Sequence, residues 1–218
     1  MRNWPGFGPM KHIVLLGDSV FDNAAYVRPQ EPDVRRQLQT LLEPGAHATL
    51  LARDGSVLGD IPAQLRKLPG DATHIVISAG GNDALAVSGV LDETADSVAG
   101  ALDRLATEAD HFSRKYFEML QNALAHTSSM AVCTIYEPRY PDPNRRRIAA
   151  AALSLLNDHI TKQAFAAGVT LIDLRLICDR DDDFANPIEP SSKGGAKIAS
   201  AMVAFIKGTA SARVIAKP

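Results

Sequence analysis

Two cysteines, Cys133 and Cys178, are all that the 218 residues contain, and each sits in or beside a short apolar run. They are too few for a disulfide framework and read as reduced thiols in a core. Neither sign of charge is in excess, since 23 Lys and Arg stand against 25 Asp and Glu for a formal net charge of -2. That balance gives no footprint for nucleic acid or an anionic membrane, and neither partner is expected. Long apolar runs are missing too, with nothing near the roughly 20 residues that cross a bilayer. The first ten residues, MRNWPGFGPM, place glycine and proline where a secretion signal needs an apolar core of about 7 to 15 residues, so a cytoplasmic location is expected. A phosphate-cradling glycine loop is also absent: only Gly17 follows the first apolar run, which argues against a nucleotide or flavin protein and against a cofactor.

What is present is a run of short apolar segments alternating with helical patterns. Hydrophobic residues make up 46% of the chain, enough for one domain over 1–218, with a loose leader, 1–10, a core, 11–207, and a fraying tail, 208–218. Strands are expected at Ile13–Leu16, His47–Ala52, Thr73–Ala79, Met130–Tyr136 and Val169–Leu174. Helices are expected at Val20–Tyr26, Asp33–Leu42, Ile61–Leu68, Thr94–Thr127 with a possible break at Gly100, Asn144–Ala167 with Asn144 as its cap, and a last one capped by Ser191 or Ser192 and ending near Lys207. Such alternation argues for an α/β fold, a three-layer α/β/α sandwich around a parallel sheet, with no internal repeat.

Three strand ends carry small polar clusters: Gly17-Asp18-Ser19, Asp54-Gly55-Ser56 and Gly80-Gly81-Asn82-Asp83. All belong on the C-terminal rim, where open α/β sheets hold their ligands. Ser19 offers a nucleophile, Gly55 a closely approachable backbone N–H, and Asn82 an amide donor. Donors converging beside a serine suit the oxyanion of acyl transfer.

In these blocks the chain resembles the SGNH/GDSL hydrolases, esterases and lipases whose first block is GDS after strand one and whose third is GxND after strand three. Here they read GDS at Gly17–Ser19 and GGND at Gly80–Asp83. The resemblance spans about Lys11 to Lys207. It implies a flavodoxin-like five-stranded parallel sheet and hydrolysis of a small ester or acyl group. It also implies Ser19 as nucleophile, with the Ser19 and Gly55 amides and the Asn82 side chain as oxyanion hole; Gly59 is a nearby alternative to Gly55.

The last block departs from that pattern. The family carries Asp-x-x-His before the final helix, whereas this chain reads Asn186-Pro187-Ile188-Glu189, and shifting the frame to Asp183-Phe184-Ala185-Asn186 puts asparagine where the base belongs. His12, His47 and His74 begin strands at the opposite sheet edge, and His126 and His159 also fall near that edge. His111 lies midway along the long helix and suits a solvated face. Glu189 is therefore the available base, and burial between Pro187, Ile188 and Pro190 would raise its pKa towards a useful range. The alternative for Glu189 is a carboxylate bonded to the first amides of the final helix. The alternative for the whole chain is a degenerate member that binds an acylated or other small ligand without turnover. Two charge runs read as solvated surface: Arg145-Arg146-Arg147, and the carboxylates Asp179, Asp181 and Asp183, whose calcium-loop spacing fails at Phe184 and Pro190. No metal is expected.

Overall fold

Each of the five apolar segments becomes a parallel strand in the computed structural model, which describes residues 10–127 and 129–209. These are β1 (His12–Gly17), β2 (His47–Leu50), β3 (His74–Ser78), β4 (Met130–Cys133) and β5 (Thr170–Ile172), hydrogen-bonded in the order β2-β1-β3-β4-β5. The expected leader, Met10 apart, and the tail beyond Thr209 lie outside the described residues. Among the described residues no helix is long and apolar enough to cross a membrane.

Side-chain alternation along β1 divides the core in two. Ile13 and Leu15 pack with α1 (Val34–Leu41) and α7 (Ser192–Lys207), while Val14 and Leu16 pack with α2 (Ile61–Leu65), α4 (Val98–Leu124) and α5 (Pro143–Ala166). All four side chains are fully buried, each contributing roughly 1.5–3 kcal/mol. Two further short helices, α3 (Gly81–Val87) and α6 (Leu174–Ile177), follow the ends of β3 and β5.

Several local expectations are corrected. Val20–Tyr26 is a series of turns, because Asp18 Oδ1 accepts the Val20 amide and the fully buried Asn23 spends its side chain on Pro190 O and Val34 N. The helix expected from Thr94 begins at Val98 and runs unbroken through Gly100, whose amide is capped by Ser97 Oγ at 3.0 Å. Asp142 rather than Asn144 caps α5, and of Ser191 and Ser192 it is Ser191 that caps α7, with Ser192 its first residue. Helix α3 and the 3-10 turn Ser88–Asp92 occupy a stretch that showed no pattern, and neither has a buried residue.

The strand order reverses direction at β1, so a crevice opens beyond the C-terminal ends of β1 and β3. Gly17 makes the approach there possible. Its φ is +127°, and a Cβ on it would fall 1.8 Å from the Ser78 carbonyl oxygen, so no other residue fits. Gln64 then clamps the turn, its amide donating to Gly17 O at 2.8 Å and accepting from Gly17 N at 2.7 Å.

Candidate active site

The GDS turn leaves Ser19 at the crevice with its hydroxyl aimed at one partner: Ser19 Oγ donates to Glu189 Oε1 at 3.1 Å. The residues lie 170 positions apart, and both are buried, 7% and 6% exposed. Glu189 Oε2 is also buried, with no hydrogen-bond partner among the described residues. Burial pushes the Glu189 carboxyl up to about 7; the Ser19 hydrogen bond opposes the rise and the nearby Asp54 charge adds to it. Asp18, next to the serine, is likewise driven to about 7 by burial, against its bond from the Val20 amide and with the Glu189 charge reinforcing the shift.

The turn carrying Glu189 is held from several sides. Asn186 Oδ1 accepts both the Ile188 and Glu189 amides at 2.9 Å, forming the turn. Tyr136 Oη donates to Ile188 O at 2.6 Å, Arg139 N to Pro187 O at 2.7 Å, and Asn23 Nδ2 to Pro190 O at 3.1 Å. Asn186, in the family's aspartate position, thus shapes the backbone. Glu189 does not cap the final helix: Ser191 accepts the Lys193 and Gly194 amides, and the Glu189 carboxylate meets Ser19 instead.

Asn82 lies in the first turn of α3 and lines the same cavity as Ser19 and Glu189. One N–H of its amide donates to Ser56 O at 2.9 Å. The second leaves a donor for a ligand. Gly55 stands exposed on the Arg53–Ser56 turn at φ +78°, closed by Ser56 N to Arg53 O, and is not among the residues lining the cavity. Gly59 is not among them either. No histidine lines the cavity among the described residues, and His111 lies on an exposed helix face. The Asp179, Asp181 and Asp183 carboxylates go to Lys197 and Arg146, and Arg145 reaches Asp92 at 2.7 Å.

The cavity, about 120 Å³, extends from Ser19 between the α3 to Asp92 segment and helices α4 and α5. Its walls are mostly apolar, with Leu85, Leu91, Leu105, Ala152, Leu153 and Leu156 among them. Sequence reading missed Asn23, Gln64 and Tyr136, each of which holds a site segment through a backbone partner that no motif announces.

A family model for GDSL-like lipases and acylhydrolases matches residues 15–197. The chain belongs to that family. A search of curated proteins finds no match. Among solved structures, a lipase from a goat rumen metagenome is similar with a TM-score of 0.69 at 18% identity, over 90% of this chain and 97% of that one. The extracellular lipase of Streptomyces rimosus gives 0.65 at 17%, over 92% and 100%, and phospholipase A1 from Streptomyces albidoflavus gives 0.61 at 19%, again over 92% and 100%. At these identities the likeness establishes the α/β fold. Together with the family match, the fold supports a hydrolase of esterase or lipase type.

Proposed function

We infer that the protein is a serine hydrolase of carboxylic esters in which Glu189 does the work that histidine does in its relatives. The observation that carries this reading is the buried Ser19–Glu189 hydrogen bond beside an apolar cavity. Glu189 accepts the Ser19 proton as Oγ attacks the carbonyl carbon, and the oxyanion is met by the free N–H of Asn82 and the Ser19 amide. Collapse of the tetrahedral adduct expels the alcohol, which takes the proton back from Glu189 and leaves an acyl-serine. Water, deprotonated by Glu189, then releases the acid and restores Ser19. A carboxyl held near 7 is a base matched to neutral pH, which an ordinary glutamate is not.

Labelling by a fluorophosphonate tests the reading: one adduct per chain at Ser19 is expected. An unlabelled Ser19 would favour a degenerate protein that binds its ligand without turnover. Asn82→Ala is expected to lower kcat by about 10²- to 10³-fold with little change in KM, since the donor acts mainly on the transition state. A pure KM effect would assign Asn82 to ground-state binding.

The apolar walls give the acyl side of the ester its place. Ala152→Trp narrows the cavity from α5, so octanoate esters are expected to lose at least about tenfold in kcat/KM while acetate changes less than about twofold. Each methylene shut out forfeits about 0.8 kcal/mol. Equal losses on both esters would place the acyl chain elsewhere.

A further inference from the structure

At the sheet edge opposite Ser19, His12 and His47 open β1 and β2 and are register partners across that parallel pair. Strand rise alone puts them roughly 20 Å from the serine. The turn before β3 brings Asp71 to the same point, with Oδ1 2.9 Å from His12 Nδ1. Thr73 fastens that turn, its hydroxyl accepting the His12 amide at 2.8 Å and donating to His12 O at 3.0 Å. The His12 and His47 rings lie face to face, centroids 3.8 Å apart and planes 30° apart. One ligand atom from each of His12, His47 and Asp71 falls within 4.8 Å of the others, and among the described residues no other group of three does so.

We propose that His12, His47 and Asp71 form a binding site for a divalent transition-metal ion, with Zn²⁺ the best match. Two imidazole nitrogens and one carboxylate oxygen are a ligand set for zinc rather than for calcium or magnesium, which take oxygen throughout. Thr49 Oγ1 lies 2.8 Å from His12 Nε2. By accepting Nε2–H, that hydroxyl fixes the tautomer that turns the Nδ1 lone pair towards the ion, the outer contact that metal-bound histidines make. The 2.9 Å between His12 Nδ1 and Asp71 Oδ1 is about half an ångström short of the ~3.4 Å that separates tetrahedral ligands each about 2.1 Å from zinc, a gap that a small turn of the exposed Asp71 side chain closes. The ion therefore replaces the proton that this pair shares without moving the backbone. His47 is partly exposed and Asp71 is 70% exposed, so the first turns out of its stack by side-chain torsion and water completes the tetrahedron. The neighbouring cation, Lys11, is directed away to Ile206 O. Such an ion clips the starts of β1 and β2 to the turn before β3, and takes no part in the chemistry at Ser19.

The test uses the full chain washed with chelator and titrated with Zn²⁺, followed by melting temperature and by the visible absorption of a Co²⁺ substitute. One equivalent is expected to bind at micromolar concentration, and a hundredfold excess over Kd should raise Tm by about 5 to 10 °C. His47→Ala removes the ring stacked on His12 and Asp71→Asn weakens the contact with His12 Nδ1, so the metal-free Tm should fall by no more than a few degrees while zinc affinity falls at least tenfold. An undiminished zinc shift in the double variant, or wild-type binding no tighter than millimolar, would overturn the site.

Discussion

Ser19→Ala is expected to abolish hydrolysis of short aryl esters, lowering kcat/KM by at least about 10⁴-fold and removing the fluorophosphonate adduct. The loss is large because in the proposed mechanism the hydroxyl is the group that bonds to the acyl carbon, and among the described residues no second nucleophile shares its contact with Glu189. The cost to the fold is small by comparison. The hydroxyl contributes one hydrogen bond, at a site where the adjoining core residues of β1, Val14 to Leu16, are fully buried without it. Its removal leaves Glu189 with neither oxygen paired and pushes that carboxyl further towards its neutral form. Tm should therefore fall by only a few degrees near neutral pH. Ester turnover by the alanine variant at the wild-type rate would show that Ser19 is not the nucleophile.

The sheet was legible in the sequence because a strand covered on both faces is an unbroken apolar run, as in His12–Gly17 and His74–Ser78, and glycine punctuates its end. The same logic placed Ser19 and Asn82 on one rim. What the sequence could not show is direction. Gly55 marks a turn correctly, but its outward position depends on how Ser56 closes on Arg53 and binds Asn82. Helix α3 and the Ser88–Asp92 turn bury no residue, so no apolar periodicity revealed them, although they wall the cavity. Asn23 and Gln64 look like surface polar residues until the fold brings Pro190 O and Gly17 within reach. Glu189 stood out only as a departure from the family's pattern. Whether it faced the serine or the final helix rested on the Asn186 turn, the Tyr136 hydroxyl and Ser191 taking the cap for itself.

That turn is the reason Glu189→Gln gives a sharp experiment. Glutamine keeps the length and can still accept the Ser19 hydrogen bond, but it holds no proton between attack and departure of the alcohol, so kcat/KM at pH 8 should fall by roughly 10²-fold or more. In the wild type the rate should climb as Glu189 ionises, with its midpoint near 7, and the nearby Asp54 charge resists that ionisation. In the variant that acid limb should flatten. Stability should move the other way. The folded pKa of Glu189, about 7, lies above the ordinary carboxyl value of 4.5, so the native state favours the proton. The stability that the Glu189 carboxyl contributes is therefore fully present below about pH 4.5 and is lost as pH rises through 7. Glutamine, which never ionises, escapes that loss. The variant should accordingly melt above the wild type at pH 8 while the two converge near pH 5, even as its turnover collapses. A base that activates the serine must give both results together: low activity with a raised alkaline Tm. If Glu189→Gln retained its acid limb and wild-type kcat/KM, Glu189 would be a structural carboxyl and the proton of Ser19 would have to leave by another route.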